Sequence, residues 1–180
     1  MIRDYFRKMG GVTQSPPRVN LREILWSWLG GFLGIGLVAV LHYRLLEPRD
    51  LMLLVGSLGA SAVLTFGAIK SPLAQPRNLM GGHVLSALVG VTAWKLFYPY
   101  PWLAAALAVA TSIAMMHASR TLHPPGGATA LIAVLGGPKV HQLGYFYVLM
   151  PVALGAVALL LASLVVNNLC PTRRYPEFWW

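Results

Sequence analysis

Residues 122–131 read LHPPGGATAL, and 132–138 continue IAVLGGP. Pro124 and Pro125 remove two backbone donors and push the residues before them out of the helical region. Gly126 and Gly127 let the backbone bend and approach a neighbour closely. The apolar run Gly126–Leu135 then ends at Gly136-Gly137-Pro138. At about 1.5 Å per residue such a helix crosses roughly half of a ~30 Å hydrocarbon layer. The segments around it are longer. Ile24–Leu46, Leu51–Ile69, Leu79–Phe97 and Trp102–Ala118 meet or nearly meet the ~20 residues a crossing needs, and Leu143–Leu169 exceeds it. The pattern predicts an all-α, polytopic membrane helix bundle of about six segments, one of them a half-helix. Residues 24–170 form the membrane domain, 1–23 a basic N-terminal segment and 171–180 an aromatic C-terminal tail.

Composition agrees. Only 11% of the 180 residues are charged and 57% are hydrophobic, against about 25% charged in soluble domains. The single cysteine, Cys170, excludes an internal disulfide and leaves too few thiols for a zinc or iron–sulfur centre. Five of the fourteen basic residues (Arg3, Arg7, Lys8, Arg18, Arg22) precede the first apolar run. That clustering suits an anionic inner leaflet better than nucleic acid. The first apolar run starts near Ile24 and shows no small-x-small site before Arg44, so it is not read as a cleavable signal.

Basic residues also orient the segments. With six crossings and a cytoplasmic N-terminus, the inside collects the five above plus Lys70, Arg77, Arg120, Arg173 and Arg174. The outside keeps Arg44, Arg49, Lys95 and Lys139, a split of ten to four. The expected location is a cell inner (plasma) membrane with both termini cytoplasmic. Tyr98, Tyr100, Trp102, Phe178, Trp179 and Trp180 fall where interfacial aromatic belts form. Small-xxx-small pairs (Gly30/Gly34, Gly56/Ala60, Gly82/Ser86, Ser86/Gly90) predict close helix packing and permit homo-oligomerisation.

A second Pro-broken turn, PLAQPRN at 72–78, resembles the first. A shift of 49 residues aligns Leu73 with Leu122 and Pro76 with Pro125, as a parallel repeat of two-helix units would. Both turns would then lie on one side. Each precedes a helix N-terminus, where free amides and the helix dipole favour an anion. His123 and Thr129 supply donors at the first, beside the Pro124–Gly127 backbone. Gln75, Arg77 and Asn78 do so at the second, where Asn78 also suits an N-cap, and His83 follows one turn on. His117 and Arg120, closing the helix before the first turn, are placed to join them. No Asp or Glu occurs from Leu51 to Pro176. Cation pathways and proton relays usually employ intramembrane carboxylates, so this core prefers an anion.

LHPPGGATAL, together with PLAQPRN, the following GGH and the small-residue helix SLGASAVLTFGA, resembles the HPP family of integral membrane proteins over roughly residues 24–170. Some members from photosynthetic organisms are described as nitrite transporters without enzymatic activity. Others are joined to nucleotide-sensing domains. The resemblance implies a transporter or channel for a small monovalent oxyanion, nitrite first. The expected substrate-binding residues are Gln75, Arg77, Asn78, His83, His123, Pro124, Pro125, Gly126, Gly127 and Thr129. No catalysis, cofactor, metal or nucleic acid is expected; the partners are the lipid bilayer and a small inorganic anion. Two rival readings are a membrane sensor or scaffold docking a cytoplasmic partner, and a metal or haem protein using His83, His117 and His123, a weak ligand set.

Overall fold

The computed structural model describes residues 6–9, 13–47 and 55–180, with no side-chain detail at 45 and 46. Arg3, Asp4, Arg49, Asp50 and the first four residues of the predicted helix Leu51–Ile69 lie outside the described residues.

Helix α1 (Leu21–Leu41) starts at an Asn20 cap, whose Oδ1 accepts from the Glu23 amide at 2.9 Å, and continues into a π-turn, His42–Leu46. Helix α2 (Gly56–Ala62) likewise extends through a π-turn, Val63–Gly67. There follow α3 (Pro76–Phe97), α4 (Pro101–Ala118), α5 (Pro124–Leu135), the short α6 (Gly137–Leu143) and α7 (Leu154–Leu169), the last entered through a π-turn at Val148–Ala153. Among the described residues, four helical stretches are long and apolar enough to cross a membrane: Leu21–Arg44, Pro76–Phe97, Pro101–Ala118 and Val148–Leu169. Gly56–Gly67 and Pro124–Leu135 are shorter apolar helices. The chain is an all-α, multi-pass membrane protein.

Several boundaries depart from the sequence reading. Helix α3 begins at Pro76 rather than Leu79, and α5 at Pro124 rather than Gly126, because proline's fixed φ and missing N–H suit the first helical positions. The run from Leu143 is broken by Gly144 at φ 52, so the last helical stretch starts at Val148.

Helix α3 is the central element, packing on α4 and α5. Its stripe Gly82, Ser86, Gly90 admits α5 almost to backbone contact. A methyl group at Gly82 would lie 2.4 Å from the His123 Cβ, and one at Gly90 2.6 Å from the Ala130 carbonyl oxygen. From the other side, a methyl at Gly126 would lie 2.7 Å from Ser86 Oγ. Gly30 and Gly34 similarly receive the ring of Phe66. The Gly56/Ala60 pair instead faces outward.

One end of the bundle is tied together by polar contacts. Arg77 Nη2 donates to the Ser119 carbonyl and Asn78 Nδ2 to the Leu122 carbonyl, each at 2.8 Å, so the two Pro-broken turns lie side by side. The C-terminal tail folds over them. Tyr175 Oη donates to the Ala74 carbonyl at 2.7 Å, and the Glu177 amide donates to Gln75 Oε1 at 2.8 Å. Burial pushes the Tyr175 hydroxyl above the ordinary tyrosine range, so it stays a donor. Arg173 is buried and pairs with Glu23 at 2.7 Å, joining the tail to the start of α1. An open groove of about 810 Å³ at this end is lined by Arg18, Arg22, Lys70 and Arg173 among others.

Candidate functional site: two imidazoles on one serine

Inside the bundle, four fully buried side chains from three helices and one turn form a continuous hydrogen-bonded chain. Ser61 Oγ on α2 lies 2.7 Å from His83 Nε2 on α3 and 2.8 Å from His123 Nε2 at the N-cap of α5. His83 Nδ1 reaches Thr129 Oγ1 on α5 at 2.7 Å, and His123 Nδ1 reaches the Leu73 carbonyl at 2.8 Å. The two rings meet edge to face, with centroids 5.0 Å apart. Tyr147 Oη donates to the Thr129 carbonyl at 3.1 Å, fixing the first turns of α5 from the side of α7.

The sequence explains why these groups converge. Pro124 and Pro125 start α5 abruptly and leave His123 extended (φ −141°, ψ 103°), so its ring turns into the core. Gly82 provides the space it occupies. His83 follows Gly82 directly, and Thr129 lies in the second turn of α5. Since Gly82 is six residues into α3, α5 begins about 9 Å below the end of that helix, at 1.5 Å per residue.

The neutral chain has a single proton arrangement. A carbonyl cannot donate, so His123 must carry its proton on Nδ1, leaving Nε2 bare. Ser61 therefore donates to His123 and accepts from His83 Nε2–H. His83 Nδ1 is then bare and accepts from Thr129. Every donor is used once.

Of the residues expected to bind a substrate, His83, His123 and Thr129 are brought together. Pro125 and Gly126 are buried beside them, Gly127 is half-buried and Pro124 exposed. Arg77, Asn78 and Gln75 make other contacts. Gln75 Nε2 donates to the Ile69 and Ser71 carbonyls at 2.9 and 2.8 Å, and Asn78 bonds across to the neighbouring turn instead of capping α3. The amide-rich α5 start is also modified. Its first two positions are prolines, and the Gly126 amide already donates to the His123 carbonyl at 2.8 Å. His117 and Arg120 are exposed and do not join the cluster. Arg120 sits at φ 59, where the Thr121 amide reaches back to the Met116 carbonyl at 2.8 Å to close α4. Among the described residues no three His, Cys, Asp or Glu side chains converge as a metal site.

Ser61 was missed by sequence reasoning. Its signal is the spacing Ser57, Ser61, Thr65, which puts three hydroxyls on one face of an otherwise apolar helix. Among the described residues, Ser57 Oγ and Thr65 Oγ1 are buried without a hydrogen-bond partner.

A helical membrane bundle with a buried, carboxylate-free imidazole–hydroxyl cluster defines the class of protein. Residues 16–176 match the family described as "HPP, transmembrane region", and the chain belongs to that family. Two curated transmembrane proteins of Dictyostelium discoideum are similar to it. One is 49% identical over 179 residues, covering 98% of this chain and 57% of the relative. The other is 47% identical over 184 residues, covering 99% and 64%. The chain thus spans less than two thirds of the length of these relatives. No solved structure matches it.

Proposed function

We propose that this chain is a membrane transporter for a small monovalent oxyanion, nitrite first, and not an enzyme. The observation that carries the reading is the buried Ser61–His83–His123–Thr129 cluster in a stretch, Leu51–Pro176, that has no carboxylate side chain. An orphaned buried hydroxyl is costly unless something else satisfies it. Ser57 and Thr65, one turn to either side of Ser61, give a small oxyanion two unused donors along the same helix face. The groove lined by Arg18, Arg22 and Lys70, besides the Glu23–Arg173 pair, keeps a net positive charge that favours anions at the end where both turns lie. Basic residues crowd that end, so it is assigned to the cytoplasm, with both termini there and the bundle in an inner (plasma) membrane. Burial of Gly126 counts against the alternative in which the turn docks a cytoplasmic partner.

Purified protein in liposomes takes up nitrite faster than empty liposomes on this reading. His123→Ala abolishes the uptake, and Arg77→Ala, which loosens the contact between the two turns, slows it. Folded protein that takes up nitrite no faster than bare lipid overturns the proposal.

A further inference from the structure

The neutral hydrogen-bond chain uses each donor once, yet two acceptors beside it are held in reserve. The Ser57 carbonyl lies 3.1 Å from Ser61 Oγ, and the Pro125 carbonyl 3.3 Å from Thr129 Oγ1. Neither is needed while both imidazoles are neutral. Both matter once a proton is added.

Consider the extra proton on His83 Nδ1. That nitrogen now donates to Thr129 Oγ1, and Thr129 turns its hydroxyl to the Pro125 carbonyl. Consider it instead on His123 Nε2. That nitrogen donates to Ser61 Oγ, which turns its own proton to the Ser57 carbonyl. No hydrogen bond is lost in either state. The rings are also connected: from the first state His83 Nε2–H passes its proton to Ser61 Oγ as Ser61 passes its own to His123 Nε2. This leaves His83 as the Nδ1–H tautomer still donating to Thr129 Oγ1, with the Ser61 hydroxyl now donating to His83 Nε2. One N–H and one O–H bond break, one O–H and one N–H bond form, and the excess charge moves from one ring to the other through a hydroxyl that starts and ends neutral.

We propose that His83, Ser61 and His123 form a one-proton relay, and that the proton it holds enters with the transported anion as a charge-neutral pair. The second half of this proposal rests on the anion reading above. A lone buried charge is strongly disfavoured in a low-dielectric core, whereas a proton and an anion arriving together leave no net charge. The surroundings supply no substitute. The cluster is met by the Ser57 carbonyl from α2, the Leu73 carbonyl from the turn, the Pro125 carbonyl from α5 and, at the Thr129 carbonyl, the Tyr147 hydroxyl. Among the described residues no carboxylate, lysine or arginine bonds to any of the four side chains. The protein stores the proton and the substrate supplies the counter-charge.

The test is nitrogen-15 imidazole spectroscopy of the full chain in lipid nanodiscs, with the five histidines assigned by single His→Gln variants. In the neutral form, opposite tautomers are expected: His123 protonated on Nδ1 and His83 on Nε2. Acidification in the presence of nitrite should add one proton shared by the pair, and Ser61→Ala should leave the two rings titrating independently. In liposomes with an internal pH dye, each nitrite taken up, after subtraction of bare-lipid permeation by nitrous acid, should bring one proton. Ser61→Ala should slow that proton movement on the order of a hundredfold, and Ser61→Thr should retain it. Identical tautomers on the two rings, or wild-type pair titration in Ser61→Ala, would overturn the relay. Opposite tautomers and a shared proton without nitrite uptake would uphold the relay and overturn the anion reading alone.

Discussion

Gly82 and Gly90 show how far a single side chain controls this molecule. Each leaves room for α5, and each would place a methyl group well inside van der Waals contact with it: 2.4 Å from His123 Cβ and 2.6 Å from the Ala130 oxygen. Overpacking of this kind costs about 1–3 kcal/mol. Gly82→Ala and Gly90→Ala should therefore each lower the melting temperature in detergent, Gly82→Ala also weakening nitrite uptake by displacing His123. Gly127→Ala is the control. Its nearest foreign atom would be Val109 Cγ1 at 3.9 Å, so it should be neutral or stabilising, up to about 1 kcal/mol from helix propensity. The residues legible in the sequence at this scale were those with punctuation nearby. His123 and Thr129 flank a Pro-Pro-Gly-Gly break, and His83 follows a Gly-Gly pair. Ser61 has no such marker. Its importance comes from partners 22 and 62 residues away, a coincidence of tertiary structure that local pattern does not encode.

Among elements, the C-terminal tail was read as an aromatic strip at the interface, with Arg173 as a topology charge. Its backbone and Arg173 do more. The Arg173 guanidinium donates to the Phe66 and Glu23 carbonyls, Asn167 Oδ1 and Ser27 Oγ, besides pairing with the Glu23 carboxylate. One side chain thus joins α1, the end of α2, α7 and the tail. Removing one partner of a buried charged network costs about 3–5 kcal/mol. Arg173→Ala should approach that loss in thermal unfolding. Glu23→Gln should cost clearly less, because the Glu23 side chain is 31% exposed and Arg173 keeps its other acceptors. Equal losses would show that the ion pair alone, and not the fan of neutral acceptors, holds the tail. Sequence could not reveal this role: a buried and a solvated arginine two residues after a proline look the same until the chain folds back.

Across the whole molecule, the two Pro-broken turns were expected on one side, and their mutual hydrogen bonds place them there. Helices α3 and α5 begin at Pro76 and Pro124, one residue short of the 49-residue alignment offset. The common geometry is thus helix, broken turn, proline-started helix, rather than residue-by-residue identity. Contacts also fix the direction of the chain. The start of α1 at Glu23, residues 74–78, residues 119–122 and the tail are joined at one end, whereas Trp94 and Lys95 near the end of α3 meet His141 and Tyr145 at the other. If the two short helices cross as well as the four long ones, the chain passes from end to end six times. That yields a labelling pattern. In a Cys170→Ser background, single cysteines at Lys70, Arg120 and Thr172 should all react with an impermeant maleimide from one face of sealed vesicles. Cysteines at Tyr100 and Lys139 should react only from the opposite face. The cytoplasmic assignment predicts that the first group is protected in intact cells and opened by permeabilisation. If Arg120 and Thr172 label from opposite faces, α5 and α7 do not complete the last two crossings, and the half-helix folds back within the layer.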